Sequence, residues 1–394
     1  MASSSHYHYH KDDDHEFDSM FEDIFENPNF IPEPKKRKPR IHIERNREEG
    51  HTKLWNDYFC ETPTYPHNIF RRRFRMNKTL FLRIMHRMSN EIEYFQPRED
   101  ATGRSSLSPL QKCTAAIRQL AYGGGSDTVD EYVRLGETTA RKCLHHFTAG
   151  IVQLFGEEYL RRPTPEDLER LLYIGEQRGF PGMVGSIDCM HWEWKNCPTA
   201  WKGMYSRGTN KPTIVLEAVA SYDLWIWHAF FGAPGTMNDL NILDRSPVFD
   251  DIINGIAPEV NFYVNGNQYH LAYYLTDAVR KDVERAFGVL QARFAVVRNP
   301  SQLWDKEKIA TIMRACIILH NMIVEDERSS STQYDVDEFQ EREDVDTFSV
   351  NMPSHLGNII DRRTSVRNTQ AHHKLQNDLI DNIWAKFGHL PNNF

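Results

Sequence analysis

The sequence predicts an α/β protein, a small mixed sheet flanked by helices, with an all-helical region ahead of it. Three observations carry this. Between residues 183 and 277, runs rich in β-branched and aromatic residues, such as TIVLEAVASYD at 213–223, alternate with turn formers in the manner of strands. After them, AVRKDVERAFGVLQARF at 278–294 and IATIMRACIILHNMIVED at 309–326 have helical periodicity. Before them, residues 52–160 show successive apolar stripes at helical spacing. Strands followed by helices bury their apolar faces best as helices layered on a sheet.

The first 50 residues predict a disordered arm, because His, Asp, Glu, Lys and Pro dominate and nothing periodic can bury itself. Its acidic run, Asp12–Asp14 and Glu16–Glu26, gives way to PKKRKPR at 34–40, a Lys/Arg block that fits a nuclear import signal or an ordinary solvated charge run. His6, His8, His10 and His15 belong to the same biased tract, which reads as disordered rather than as a metal site. The N-terminus lacks the apolar stretch of a signal peptide. No apolar run approaches the roughly 18 residues of a membrane span.

Within 52–160, Asn77 is placed to cap a helix carrying Leu80, Phe81, Ile84, Met85 and Met88 on one stripe. Ser108-Pro109 starts a second helix that runs to Leu120. SDTVDEYVRLGETTARKCLHHF then has helix-turn-helix rhythm, with Gly136 at the turn, Thr138 or Thr139 as cap and a helix through Phe147; two core helices joined by glycine have the same rhythm. The core is predicted over 180–326, with strands at VGSIDCMHWEW, at 213–223 and, as its hairpin partner, at 224–235. A polar helical stretch follows from Asn238, and a short strand ends at Asp277. Val279, Val283, Phe287, Leu290 and Phe294 form the stripe of the next helix, and 309–326 reads as a buried one. Residues 327–368 read as an acidic linker, and 369–390 as a helix whose Leu375, Leu379, Ile380, Ile383, Trp384 and Phe387 dock on the core.

The six cysteines are scattered, without a CxxC pair, which predicts a reducing compartment and no structural zinc. Net charge is −8, so a nucleic-acid partner would need a local basic stripe rather than a positive coat. Four carboxylates stand at element ends: Asp188, Asp239, Asp277 and Glu284. Gathered together they would repel one another, and a divalent cation is the simplest compensation; oxygen-only ligands favour Mg²⁺ or Mn²⁺. Each alone is equally explained as a cap, a turn former or a solvated side chain. Lys195, Lys202, Arg207, Arg280, Lys281, Arg285 and Arg293 are the candidate phosphate contacts, with surface pairing on the helix as the other reading. Trp192, Trp194 and Trp201 either stack bases or fill the core.

The chain resembles the PIF/Harbinger transposase-derived nucleases, the plant members above all, over roughly residues 52–394. The blocks that carry the resemblance are GSIDCMHWEWKNCPTAWKGMYSRG, PTIVLEAVASYDLWIWHAFFGAPGTMNDLNIL, VNGNQYHLAYYLTD, RKDVERAFGVLQARFAVVRNP, CIILHNMIVEDE and LQNDLIDNIW. The resemblance implies an RNase H-like DDE core, Mg²⁺ or Mn²⁺ dependence, DNA as substrate, a separate Myb-like nuclear partner protein and room for homo-oligomers. It implies that Asp188, Asp239, Asp277 and Glu284 are the catalytic and metal-binding acids. One departure stands out. The family pattern separates the acid after Tyr-Leu from the helical glutamate by a connection of roughly thirty residues, unusually long for a loop; here only AVRKDV intervenes. A helix beginning at Ala278 would hold Asp277 and Glu284 about 10 Å apart at 1.5 Å per residue. Two functions follow: a metal-dependent nuclease, or a domesticated transposase core that binds DNA or a chromatin partner without cutting.

Overall fold

The apolar stripes ahead of residue 160 fold as helices. The computed structural model describes residues 44–99, 103–124, 132–208, 211–276, 281–331, 348–351, 366 and 368–388. The arm with its basic block and histidines, Asp277, Val279, Arg280 and most of 327–368 lie outside these residues. Helices α1 (Arg47–Tyr58), α2 (His67–Phe74), α3 (Lys78–Glu91), α4 (Pro109–Tyr122), α5 (Glu137–Tyr159) and α6 (Pro165–Gln177) come first. Tyr58, Phe59, Phe70, Phe74 and Phe81 interlock between the first three, the rings of Phe70 and Phe74 stacking at 4.1 Å.

Local chemistry sets the helix starts. At α4, the Ser108 hydroxyl accepts from the Gln111 N–H while the Gln111 side chain accepts from the Ser108 N–H, and Pro109 occupies the first helical position. Asn77 stands at the start of α3 as expected, but its side chain donates to Asp326 at 2.7 Å instead of capping its own helix. The start of α5 falls at Gly136 rather than at Thr138 or Thr139, and the helix continues beyond Phe147 to Tyr159, because Ile151, Phe155 and Tyr159 extend the buried stripe.

The strands begin at β1 (Met183–Glu193), followed by α7 (Thr199–Tyr205), β2 (Ser206–Arg207), β3 (Lys211–Ala220) and β4 (Ile226–Pro234). Then come α8 (Asp239–Leu243), α9 (Asp250–Asn254), β5 (Glu259–Val264), β6 (Asn267–Tyr269) and β7 (Tyr273–Leu275). Helices α10 (Lys281–Arg293), α11 (Ala295–Arg298) and α12 (Lys306–Ser331), strand β8 (Phe348–Asn351) and helix α13 (Thr369–Phe387) complete the described chain. The main sheet is mixed, in the order β2-β3-β1-β7 with β4 also on β3; β1 and β3 are antiparallel, β1 and β7 parallel, and β3 and β4 form the expected hairpin.

Helix α12 is buried nearly all round, yet two polar residues interrupt it. Asn321 accepts from the Ile226 N–H and donates to the carbonyls of Ile226 and Tyr159, and His320 donates through Nε2 to the Leu224 carbonyl at 2.8 Å. These bonds fix α12 against the start of β4 and the end of α5. One apolar cluster extends from Leu54 in α1 through Trp194 and Ile318 to Leu379 in α13.

Two expectations at the C-terminal end are corrected. The stretch read as a linker contains β8, which pairs antiparallel with β5 in a separate three-stranded sheet of order β6-β5-β8. Its period-2 run FSVN is too short to stand out beside the acidic residues ahead of it. Helix α13 does dock, but not by its whole apolar stripe: only Leu379 is buried, while Ile380 and Trp384 are exposed. Polar contacts do much of the holding, with Asp378 accepting from Asn267 and Tyr269 and Asn382 donating to the Gly179 carbonyl. Gly179 has φ +87° and faces the Phe387 ring so closely that a Cβ there would stand 2.6 Å from it.

Candidate active site on the central strand

Strand β1 alternates two sets of side chains. Asp188, Met190 and Trp192 share one face; Ile187, Cys189 and His191 share the other. Helix α10 covers the first face, since Gln291 reaches the Met190 sulfur at 2.9 Å; on the same face Trp192 packs 6.1 Å from Phe231 of β4. The second face meets α8, whose buried Ile242 clusters with Val215, Ala233 and Cys189. Among the described residues the pairing of β1 with β7 extends to Ser186 and Leu275, and Asp188, two residues on, is half-buried.

Glu284 lies in the first turn of α10 with an exposed side chain, on the helix that covers the face of Asp188. Its position is fixed by a neighbour that sequence reasoning missed. Asp282, with a side chain 2% exposed, receives two hydrogen bonds from Arg178 at the end of α6, at 2.6 and 3.3 Å. The guanidinium of Arg178 also lies over the Tyr222 ring, 4.9 Å from its centroid. The signal was present: Asp282 precedes Ala286 and Leu290 at four-residue steps, an acid in phase with a buried stripe.

Asp239 is exposed at the start of α8, where Asn238 caps the helix by accepting from the Asn241 N–H at 2.8 Å. It contacts the Cys189 side chain, on the face opposite that of Asp188. Burial first, and then the charges of Asp239, Glu217 and Asp188, push the Cys189 thiol up to about 12. Glu217, directly across β3 from Cys189, is buried and accepts the Ser246 hydroxyl at 2.5 Å; His228 lies 3.0 Å from that oxygen. A lone acid in the apolar run TIVLEAVA was the available sign of this second buried carboxylate.

Among the described residues, no group of three His, Cys, Asp or Glu side chains is close enough to hold a metal ion. Asp277 lies outside those residues. Asp188 and Glu284 offer carboxylate oxygens alone, the donor chemistry that suits Mg²⁺ or Mn²⁺.

The basic and aromatic candidates divide by exposure. Lys195, Lys202, Arg207, Lys281 and Arg285 are exposed, whereas Arg293 is turned inward onto Glu327 and His320. Trp192 and Trp194 are buried, and their indole N–H groups donate to the carbonyls of Asn299 and Leu303, each at 2.7 Å. They fill the core; Trp201 does not, being 43% exposed.

The family model described as "Plant transposon protein" matches residues 157–280 and 276–331, and a model described as a domain of unknown function matches 50–89. The two plant-transposon matches meet at 276–280, the place where the connection between Asp277 and Glu284 is short. The protein named "Putative nuclease HARBI1" in Bos taurus is 21% identical over 252 residues, spanning 56% of this chain and 68% of the relative. Its Homo sapiens counterpart is 20% identical over 245 residues, with the same shares, and that of Mus musculus is 21% identical over 265 residues, 61% of this chain and 75% of the relative. No solved structure matches. A mixed α/β core with these matches defines a transposase-derived protein. Within that class, the matches support the Harbinger transposase-derived nuclease family.

Proposed function

We propose that the protein is a divalent-metal-dependent nuclease with an RNase H-like core, acting on DNA phosphodiester bonds, with Asp188, Asp277 and Glu284 as its catalytic acids. The observation that carries this reading is that Asp188 lies on the face of β1 covered by α10, the helix that bears Glu284 in its first turn. Carboxylates brought to one side of a sheet from sequence-distant elements call for a cation that offsets their charge. Asp277 joins the set by its motif, following two residues after Leu275 in the sequence.

Asp188, Asp277 and Glu284 would hold Mg²⁺ or Mn²⁺, which supplies activation of the attacking oxygen and stabilisation of the leaving one. The Arg178–Asp282 pair holds the first turn of α10 and so orients Glu284. Asp239 has no part in this set, since it lies with Cys189 across the strand. The reading includes a nuclear location, on the strength of the basic block at 34–40, and a Myb-like partner that selects the target, detectable by co-purification from nuclear extract.

The test is nicking of supercoiled plasmid in Mn²⁺ by the wild type and by Asp188→Ala. The variant should lose more than about 100-fold, the upper range for loss of an outer-shell metal partner. Nicking that survives the substitution would falsify the assignment. A second reading, a core that binds DNA without cutting, is favoured by the short connection, where AVRKDV alone separates Asp277 from Glu284. DNA retention by the wild type without any nicking in Mg²⁺ or Mn²⁺ decides for it.

A further inference from the structure

The chain carries −8 overall, yet two of its segments contain no acid at all. Residues 194–216 hold Lys195, Lys202, Arg207 and Lys211; residues 285–304 hold Arg285, Arg293 and Arg298. The fold laces the ends of these segments together. The Lys195 N–H donates to the Ser301 carbonyl at 2.9 Å, the Asn196 side chain to the Gln302 carbonyl at 2.7 Å and the Trp194 indole to the Leu303 carbonyl at 2.7 Å. The flanking acids are answered locally, Glu193 by Lys211 at 3.2 Å and Asp305 by Lys308 at 3.8 Å.

On this acid-free ground, aromatic side chains stand out into solvent. Trp201 on α7 is 43% exposed, its ring 6.0 Å from that of buried Trp194. Trp304, next to the Leu303 that Trp194 binds, is 63% exposed. Buried Trp194 thus packs against one outward tryptophan and holds the backbone next to the other. Tyr205 packs edge-on against Trp194 at 5.2 Å and carries the Lys306 ammonium 5.7 Å above its ring. Gly203, between Trp201 and Met204, would meet nothing with an added Cβ, so this side of α7 is open.

Flat, solvent-exposed aromatic rings on a rigid base, among lysines that no local acid neutralises, are what an unpaired nucleic-acid strand needs: a π-face for each base and a cation for its phosphate. We infer that Trp201 and Trp304, with Lys195 and Lys202, form a stacking platform for an unpaired DNA strand. Duplex DNA keeps its bases stacked on one another and cannot use these rings. The platform would therefore engage frayed or displaced strands and hold them during cutting. This inference rests on the reading of the protein as one that acts on DNA.

The test measures anisotropy of a labelled thymidine oligonucleotide of about 15 nucleotides with the full chain, in EDTA, so that cutting plays no part. Trp201→Ala and Trp304→Ala should each weaken binding about tenfold, in line with stacking of one base. Their effect on a blunt duplex should be less than about twofold. Lys195→Gln and Lys202→Gln should each reduce the slope of log affinity against log salt by about 0.7, the single-strand value per phosphate. All four side chains point into solvent, and circular dichroism checks that the variants fold. Oligonucleotide affinity unchanged in the double tryptophan variant overturns the inference, as does equal loss on duplex and single strand. So does loss of a captured nuclear protein with DNA binding intact, which would mark the patch as a protein-docking face. Plasmid nicking that fails while tryptophan-dependent binding persists sinks the nuclease reading alone; nicking that persists with tryptophan-independent binding sinks this inference alone.

Discussion

The two faces of β1 present neighbouring residues to different surroundings. On one face Cys189 and, across the strand pair, Glu217 meet the Ser246 hydroxyl, the His228 ring and Asp239 at the start of a five-residue helix. The other face, that of Asp188, is covered by a thirteen-residue helix arriving from far along the chain, with Glu284 in its first turn. Glu217 is buried in the sheet and bonded to a hydroxyl, whereas Asp188 is half-buried on the face that a helix from a distant element covers. Adjacent positions in one strand can therefore have separate fates, and only the register distinguishes them.

The most forceful way to break this contrast is to exchange the acids. Asp188→Asn should reduce plasmid nicking by more than about 100-fold, whereas Glu217→Gln, which keeps the Ser246 bond, should leave the rate within about twofold in the same assay. Next in size is the anchor of α10. Asp282→Ala leaves the Arg178 guanidinium half-enclosed without its partner and should cost about 3–5 kcal/mol, read from urea unfolding. Asn321→Leu strips three hydrogen bonds from the junction of α12, β4 and α5 and should cost about 2–3 kcal/mol by the same measurement.

Acid should act through His320. Burial first, and then the nearby Arg293 charge, depress its pKa from 6.5 to about 3. The folded state thus favours the neutral ring; its contribution is complete above pH 6.5 and is lost as pH falls from there toward 3. At pH 5 the loss should be about 2 kcal/mol, and His320→Gln should flatten that stretch of the stability profile. The smallest effect is a contrast in labelling. With its thiol held up to about 12, Cys189 should resist iodoacetamide at pH 8 while Cys60 is alkylated, as peptide mapping would show.

How much of this could be read beforehand follows from the range of the interactions. The β3–β4 hairpin, the Ser108-Pro109 start and the stripe of α10 depend on near neighbours, and local spacing reveals them. The alternation of β1 likewise fixes which residues accompany Asp188. What stayed hidden depends on partners a hundred residues away: Arg178 with Asp282, Asn321 with Tyr159 and Ile226, β8 with β5. The tryptophans make the point within a single motif. Trp192 on the strand and Trp194 just past its end turn inward and Trp201 on a helix of seven residues turns out, a difference that composition cannot carry.

Strand β8 has a consequence for how the chain tolerates shortening. It occupies one margin of β5, with Val260 beside Val350 and Phe262 beside Phe348. A product terminated upstream of Phe348 would strip that margin of its cover and lose α13 with it, leaving a row of amide and carbonyl groups ready to recruit another copy. Premature stop codons in the acidic stretch should thus yield self-associating material rather than a lighter version of the same particle.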